Sequence, residues 1–289
     1  MRLSMSITNY SWPGAPQSLG AELTRAAQAA DSGGLDTVWV ADHMLQADPS
    51  STPEAEMLEA CATLGFLAGQ TRRVRLGTMV SAVTFRAPSV LIKAVTTLDV
   101  LSGGRAWLGL GAGYNEEEAR AMDLPLPPVA ERFEHLEDTL RLAHHMWSGD
   151  GSPFHGRRHR LEQPVCNPLP LTAPHPPILV GGMGERKTLR LVAEYGDACN
   201  LFDIPDGGET IARKLEVLAR HCEAVGRPFG AIEKTVSTRL NPGESAEQFA
   251  ERCAALAALG LDHAVVITPA PWTEETVTVL AAARVSLPS

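Results

Sequence analysis

No stretch of this sequence approaches the roughly eighteen consecutive apolar residues of a membrane-spanning helix. No C-x-x-C pair occurs. The cysteines (Cys61, Cys166, Cys199, Cys222 and Cys253) are odd in number and far apart, the pattern of reduced, mostly buried thiols rather than a disulfide framework. H-E-x-x-H is missing as well; His144, His145, His155 and His159 lie near one another, but without metal-ligand spacing they predict no metal site. With no G-x-S-x-G elbow and no cysteine in an evidently activated setting, hydrolase chemistry lacks a nucleophile. Positive charge is short too: 25 Lys and Arg against 34 Asp and Glu give −9 at pH 7, which offers a nucleic acid no basic stripe. An anionic ligand must therefore be held locally, by backbone amides or a few placed cations. The segment Met1–Asn9 reads as a strand, without the basic start and apolar run of a secretory signal. These absences together predict a soluble, cytoplasmic protein.

What is present is ample for one large core: 44% of the 289 residues are hydrophobic and 20% charged. Eight short apolar runs read as strands buried on both faces: Arg2–Thr8, Asp36–Ala41, Val74–Ala82, Ala106–Gly111, Pro177–Gly182, Ala198–Phe202, Glu233–Leu240 and His263–Thr268. Helix-length segments separate them. Phe133, Leu136, Leu140, Ala143 and Trp147 form one apolar stripe, and Ile211, Leu215, Leu218 and Cys222 form another. Gly196, Gly226 and Gly260 stand where left-handed C-caps are expected. Eight such units predict an α/β fold of the TIM (β/α)8 type, a single domain over residues 1–289. One segment breaks the repeat. Residues 148–176, proline-rich and carrying "FHGRRHRLEQ", form an insertion between the fourth helix and the fifth strand, expected to lie over the barrel mouth.

In a barrel the chemistry sits at the C-terminal strand ends. "AWLGLGAGYNEEEAR" ends the fourth strand, but its glycines fail the dinucleotide spacing: counted from Gly109 the third glycine position holds Tyr114. Two readings stand, a strand thinned for packing or a bare backbone against which a planar ring lies. "GGMGERKT", after the fifth strand, misses the P-loop because Arg186 replaces its glycine. Glycines running into a helix N-terminus still suit an anion, so a phosphate is expected there rather than a plain turn. "VADHM" ends the second strand, where His43 would project into the mouth and could move protons near neutrality; a structural Asp–His pair is the alternative.

In chain order, "TVWVADHM", "RLGTMVSAVTFRAP", "LSGGRAWLGLGAGYNEEE", "ERFEHLEDTLRLAHHMW", "FHGRRHRLEQ" and "PPILVGGMGERKTLRLVAEYGDACNLF" resemble the luciferase-like monooxygenase superfamily. Within it they are most similar to the deazaflavin branch, oxidoreductases that use coenzyme F420. The resemblance implies a barrel whose mouth holds a flavin-like ring. Asp42 and His43 would sit at the ring, and Met79 and Val80 match the position of a non-prolyl cis peptide at its back. Gly111, Gly113 and Asn115 would line the cofactor channel, while Gly181, Gly182 and Met183 would receive its phosphate. Tyr114 stands where a sugar-phosphate dehydrogenase of this branch has a catalytic glutamate, with Glu116 two residues on. Neither that acid nor that substrate is carried over.

The expectation is an F420-dependent oxidoreductase passing hydride between coenzyme F420 and a small organic substrate. His43 and Tyr114 would be its catalytic candidates, and Tyr10 and Trp12 would join the insertion in the substrate pocket. The alternatives are an FMN-dependent, oxygen-using monooxygenase, fed FMNH2, and a catalytically silent ligand-binding subunit. No metal, nucleic acid or membrane partner is expected, and a homodimer or higher homo-oligomer is.

Overall fold

The computed structural model describes residues 1–48 and 51–287. Apolar runs and helical stripes alternate along the chain as β1 (Arg2–Ile7), α1 (Leu19–Ser32), β2 (Thr37–Val40), α2 (Ala60–Gln70), β3 (Arg75–Thr78), β4 (Ser81–Ala82), α3 (Pro88–Ser102) and β5 (Leu108–Gly111). There follow α4 (Glu116–Ala121), α5 (Val129–Trp147), the hairpin strands β6 (Phe154–His155) and β7 (Arg160–Leu161), then β8 (Ile178–Gly181), α6 (Thr188–Tyr195) and β9 (Ala198–Phe202). The chain ends with α7 (Glu209–Ala224), β10 (Glu233–Arg239), α8 (Ala246–Ala258), β11 (His263–Ile267) and α9 (Glu274–Ser286).

The main sheet runs β3-β2-β1-β11-β10-β9-β8-β5-β4, parallel throughout. Its two ends meet. Leu76 N donates to Arg105 O and Trp107 N to Leu76 O, each at 2.8 Å, so the sheet closes into a (β/α)8 barrel. All eight expected strands form. The third is divided into β3 and β4 by a cis peptide between Met79 and Val80. Trp39, Trp107, Leu179, Ala198 and Val265 fill the barrel interior, with Met79 and Val80 packed against them, so the lumen is a solid core and not a pore.

Two details depart from the sequence reading. Gly226 and Gly260 take positive φ after their helices, but Gly196 lies at φ −89°, extended. It is a glycine for space, since a Cβ there would lie 3.2 Å from the Val192 backbone and 3.3 Å from Val180. The insertion is also displaced from its expected place. Residues 148–176 sit between α5 and β8, yet none lines the mouth. Two buried carboxylates pin them to the outer helices. Asp138 of α5 accepts from Arg158 N and His159 N (2.7 and 3.1 Å), and Asp99 of α3 accepts from Leu171 N and Thr172 N (2.7 and 2.9 Å).

Candidate active site

A cavity of about 1050 Å³ opens at the C-terminal ends of the barrel strands. Each of the eight strand positions contributes: Ser6, Asp42 and His43, Met79 and Val80, Gly111 to Asn115, Gly181 and Gly182, Asn200 with Phe202 and Asp203, Ser237 to Arg239, and Ile267. Sites of this kind gather side chains from distant segments on one rigid frame.

His43 follows β2, and its Nδ1 lies 2.7 Å from Oε2 of Glu118, whose side chain is only 1% exposed. A carboxylate offers acceptors alone, so it engages His43 through an Nδ1 donor. Glu118 Oε1 takes Met44 N at 2.5 Å and Leu45 N at 3.1 Å, tying the backbone that carries His43. Asn115 caps α4 by accepting from Glu118 N at 3.1 Å, which points the first turn toward β2. Tyr114 is 72% exposed at the mouth, its ring edge-on to His43 with centroids 6.0 Å apart.

Asp42 is buried and gripped bidentately by Arg86 at 2.6 and 2.9 Å; Arg86 also reaches Glu59 at 2.5 Å. Burial alone would lower the Arg86 guanidinium, but Asp42 and Glu59 hold it above its ordinary value. Cys61, the one cysteine not fully buried, is beside this pair, and burial pushes its thiol up to about 11, far from a neutral-pH nucleophile.

The glycines of β5 and β8 have a specific occupant. A Cβ on Gly111 would come 2.8 Å from Val80 Cγ2, one on Gly181 2.9 Å from the same atom, and one on Gly109 1.9 Å from Thr78 O. The bulge between β3 and β4 therefore presses against them, and the bare strands admit Val80 and the Thr78 carbonyl. Thinning for packing accounts for these glycines; Gly111 and Gly181 still border the cavity.

Arg132 enters from the first turn of α5 and is 8% exposed. Its Nη1 donates to Gly113 O at 2.5 Å, while its Nε is buried with no partner among the described residues. A guanidinium desolvated without a carboxylate is costly unless an anion completes it. Thr188, at the start of α6, lines the same cavity as Gly181 and Gly182, and Lys187 spans the gap between the two helices with Nζ 5.1 Å from the Phe133 ring.

Three expected residues do not reach the cavity. Tyr10 and Trp12 are packed behind it, 0% and 4% exposed, and Trp12 Nε1 donates to Trp272 O at 2.8 Å. Burial, then Asp42, push the Tyr10 phenol above its usual value, so it stays neutral, and its hydroxyl has no hydrogen-bond partner among the described residues. Met183 turns aside, its Sδ accepting from Phe202 N at 3.3 Å. Two residues were missed. Glu118 carried a signal, because Asn-x-x-Glu is a capping spacing, though its side chain crosses to His43 instead of folding back. Arg132 carried none, being one more charge at the start of a helix. Among the described residues no group of three or more His, Cys, Asp or Glu could hold a metal ion, and no helix is long and apolar enough to cross a membrane.

A closed parallel barrel with one large mouth cavity and a carboxylate-oriented imidazole defines a TIM-barrel enzyme. Residues 1–283 match the family model for luciferase-like monooxygenase, and the chain belongs to that family, as an enzyme of the oxidoreductase class. It is 30% identical over 246 residues to an F420-dependent glucose-6-phosphate dehydrogenase of Kineococcus radiotolerans, covering 83% of this chain and 69% of that one. It is also 30% identical over 208 residues to an F420-dependent hydroxymycolic acid dehydrogenase of Mycobacterium tuberculosis, covering 71% of this chain and 54% of the relative. A coenzyme F420 dependent tetrahydromethanopterin reductase from Methanopyrus kandleri shares the fold, with TM-score 0.80, 13% identity and 97% of each chain covered.

Proposed function

We propose that this chain is an F420-dependent oxidoreductase that exchanges hydride with a small organic substrate in the mouth cavity. The observation that carries the reading is His43, held through Nδ1 by Glu118 and lining a cavity of about 1050 Å³. That the named relatives depend on F420 supports this choice of cofactor. When bound, the deazaflavin accepts or donates a hydride at its ring carbon, chemistry that no side chain provides.

The residues present fit such a group. The orphaned Nε of Arg132 offers a charge-assisted hydrogen bond to a phosphate, and Gly181, Gly182 and Thr188 at the start of α6 complete that corner. Met79 and Val80 form an apolar wall for a flat ring, and Gly111, Gly113 and Asn115 border the channel beside it. The Asp42–Arg86 pair stiffens the end of β2, and His43 holds or moves the proton that accompanies hydride transfer. Tyr114 screens this histidine from solvent and can donate a hydrogen bond to the substrate.

The test is an anaerobic absorbance screen of oxidised and reduced F420 against panels of alcohols, aldehydes and ketones. Turnover with one of them, lost in His43→Asn, is expected. In a parallel aerobic assay, oxygen uptake that requires reduced FMN and is indifferent to F420 would overturn the proposal in favour of a monooxygenase.

A further inference from the structure

We propose that Glu118 is the positioning residue that selects the working tautomer of His43. This rests on the hydride-transfer reading for its consequence in turnover, but not for its structural content. Glu118 belongs to α4, seventy-five residues from His43 in sequence, and is 2% exposed. Among the described residues its side-chain hydrogen bonds are all with one short segment: Nδ1 of His43 at 2.7 Å and the backbone N–H groups of Met44 and Leu45 at 2.5 and 3.1 Å. Three donors on one buried carboxylate leave no room for the imidazole to present a lone pair at Nδ1. Among the described residues His43 makes no other hydrogen bond, and it lines the cavity, so Nε2 is the atom left for substrate.

The chemical consequence is definite. In alcohol oxidation, with a bound deazaflavin supplying the hydride acceptor, His43 Nε2 would take the hydroxyl proton. The imidazolium so formed faces the Glu118 carboxylate through Nδ1–H; in reduction, Nε2–H returns the proton to the carbonyl oxygen as hydride arrives. With the opposite tautomer, Nε2 carries a hydrogen and cannot accept one. Glu118 touches neither substrate nor cofactor in this scheme, so its effect runs wholly through His43.

Glu118→Gln keeps the shape and tests the tautomer. The Gln oxygen remains needed by Met44 N and Leu45 N, so its NH2 group faces His43 Nδ1 and makes that nitrogen the acceptor. Nitrogen-15 NMR of the histidine-labelled, cofactor-free full chain, with the signal assigned by its loss in His43→Asn, should show Nδ1–H in the wild type and Nε2–H in Glu118→Gln. In turnover, Glu118→Gln should lose kcat by roughly 10²- to 10⁴-fold. F420 affinity should stay within about twofold, and no further loss should appear when the change is added to His43→Asn. A wild-type protein with Nε2–H, or a Glu118→Gln protein that retains Nδ1–H, would overturn the proposal. So would a kcat loss that persists undiminished in the His43→Asn background, the mark of a merely structural role. If the wild type turns over no F420-linked substrate, the hydride-transfer reading fails while the NMR comparison still decides the role of Glu118.

Discussion

At the scale of single residues, two side chains carry separable parts of the proposed chemistry. His43→Asn should keep F420 binding and lose turnover on the order of a hundredfold or more, because proton transfer from a positioned imidazole contributes about that much. Arg132→Met should do the reverse. It removes a buried charged donor with an unfilled hydrogen-bond position, so affinity for the phosphate-bearing cofactor should fall by roughly 1.5–3 kcal/mol, ten- to a hundredfold, with kcat at saturation little changed. Equilibrium titration beside steady-state kinetics separates the two. His43 was legible in the sequence because a histidine at the end of a barrel strand has only the mouth to face. Arg132 was not. Its significance lies in an unpaired Nε, which depends on what surrounds the side chain rather than on its neighbours in the chain. Tyr10 and Trp12 show the converse failure, since their place after the first strand suggested the mouth, yet the indole found a carbonyl 260 residues away.

At the scale of elements, β5 and β8 are shaped by the bulge between β3 and β4. Gly111→Ala places a Cβ 2.8 Å from Val80 Cγ2 and should cost roughly 1–3 kcal/mol by overpacking, read from urea unfolding. Adding Val80→Ala should recover part of that loss, a coupling that distant, independent sites would not show. The strand pattern itself was fully legible, because strands buried on both faces are nearly continuous apolar runs bounded by glycine and polar turns. What the glycines make room for was not, since Val80 and Thr78 lie some thirty residues away from Gly109 and Gly111 in sequence and β8 lies farther still. The 148–176 insertion was legible as an extra segment but not in its placement. Asp99 and Asp138, which hold it to the outer helices, look like ordinary helix carboxylates until their backbone partners are known.

The whole molecule is closed at the opposite end of the barrel by a rim of charges at the strand starts. Arg2, Arg75, Glu233 and His263 each open a strand, Asp36 immediately precedes β2, and they join through Arg2–Glu233 at 2.6 Å, His263–Glu233 at 2.7 Å and the Arg75–Asp36 pair. Burial alone would raise the Asp36 carboxyl, but His263 and Arg75, with hydrogen bonds from Thr37 and Arg75, bring it down to about 2 from 3.8. A carboxyl depressed by folding adds stability above its unfolded value and loses it as pH falls toward its folded one. The protein should thus lose about 2 kcal/mol through this group between about pH 4 and pH 2. Asp36→Asn should be less stable at neutral pH and show a flatter acid limb in urea unfolding.

The claim on which the functional account turns is that the mouth cavity takes a deazaflavin, and its most direct test is one equilibrium titration of the purified protein with F420 and, separately, with FMN, followed by cofactor fluorescence. Saturable binding of F420, markedly tighter than that of FMN, is the predicted result. Saturation by FMN with no binding of F420 would contradict it.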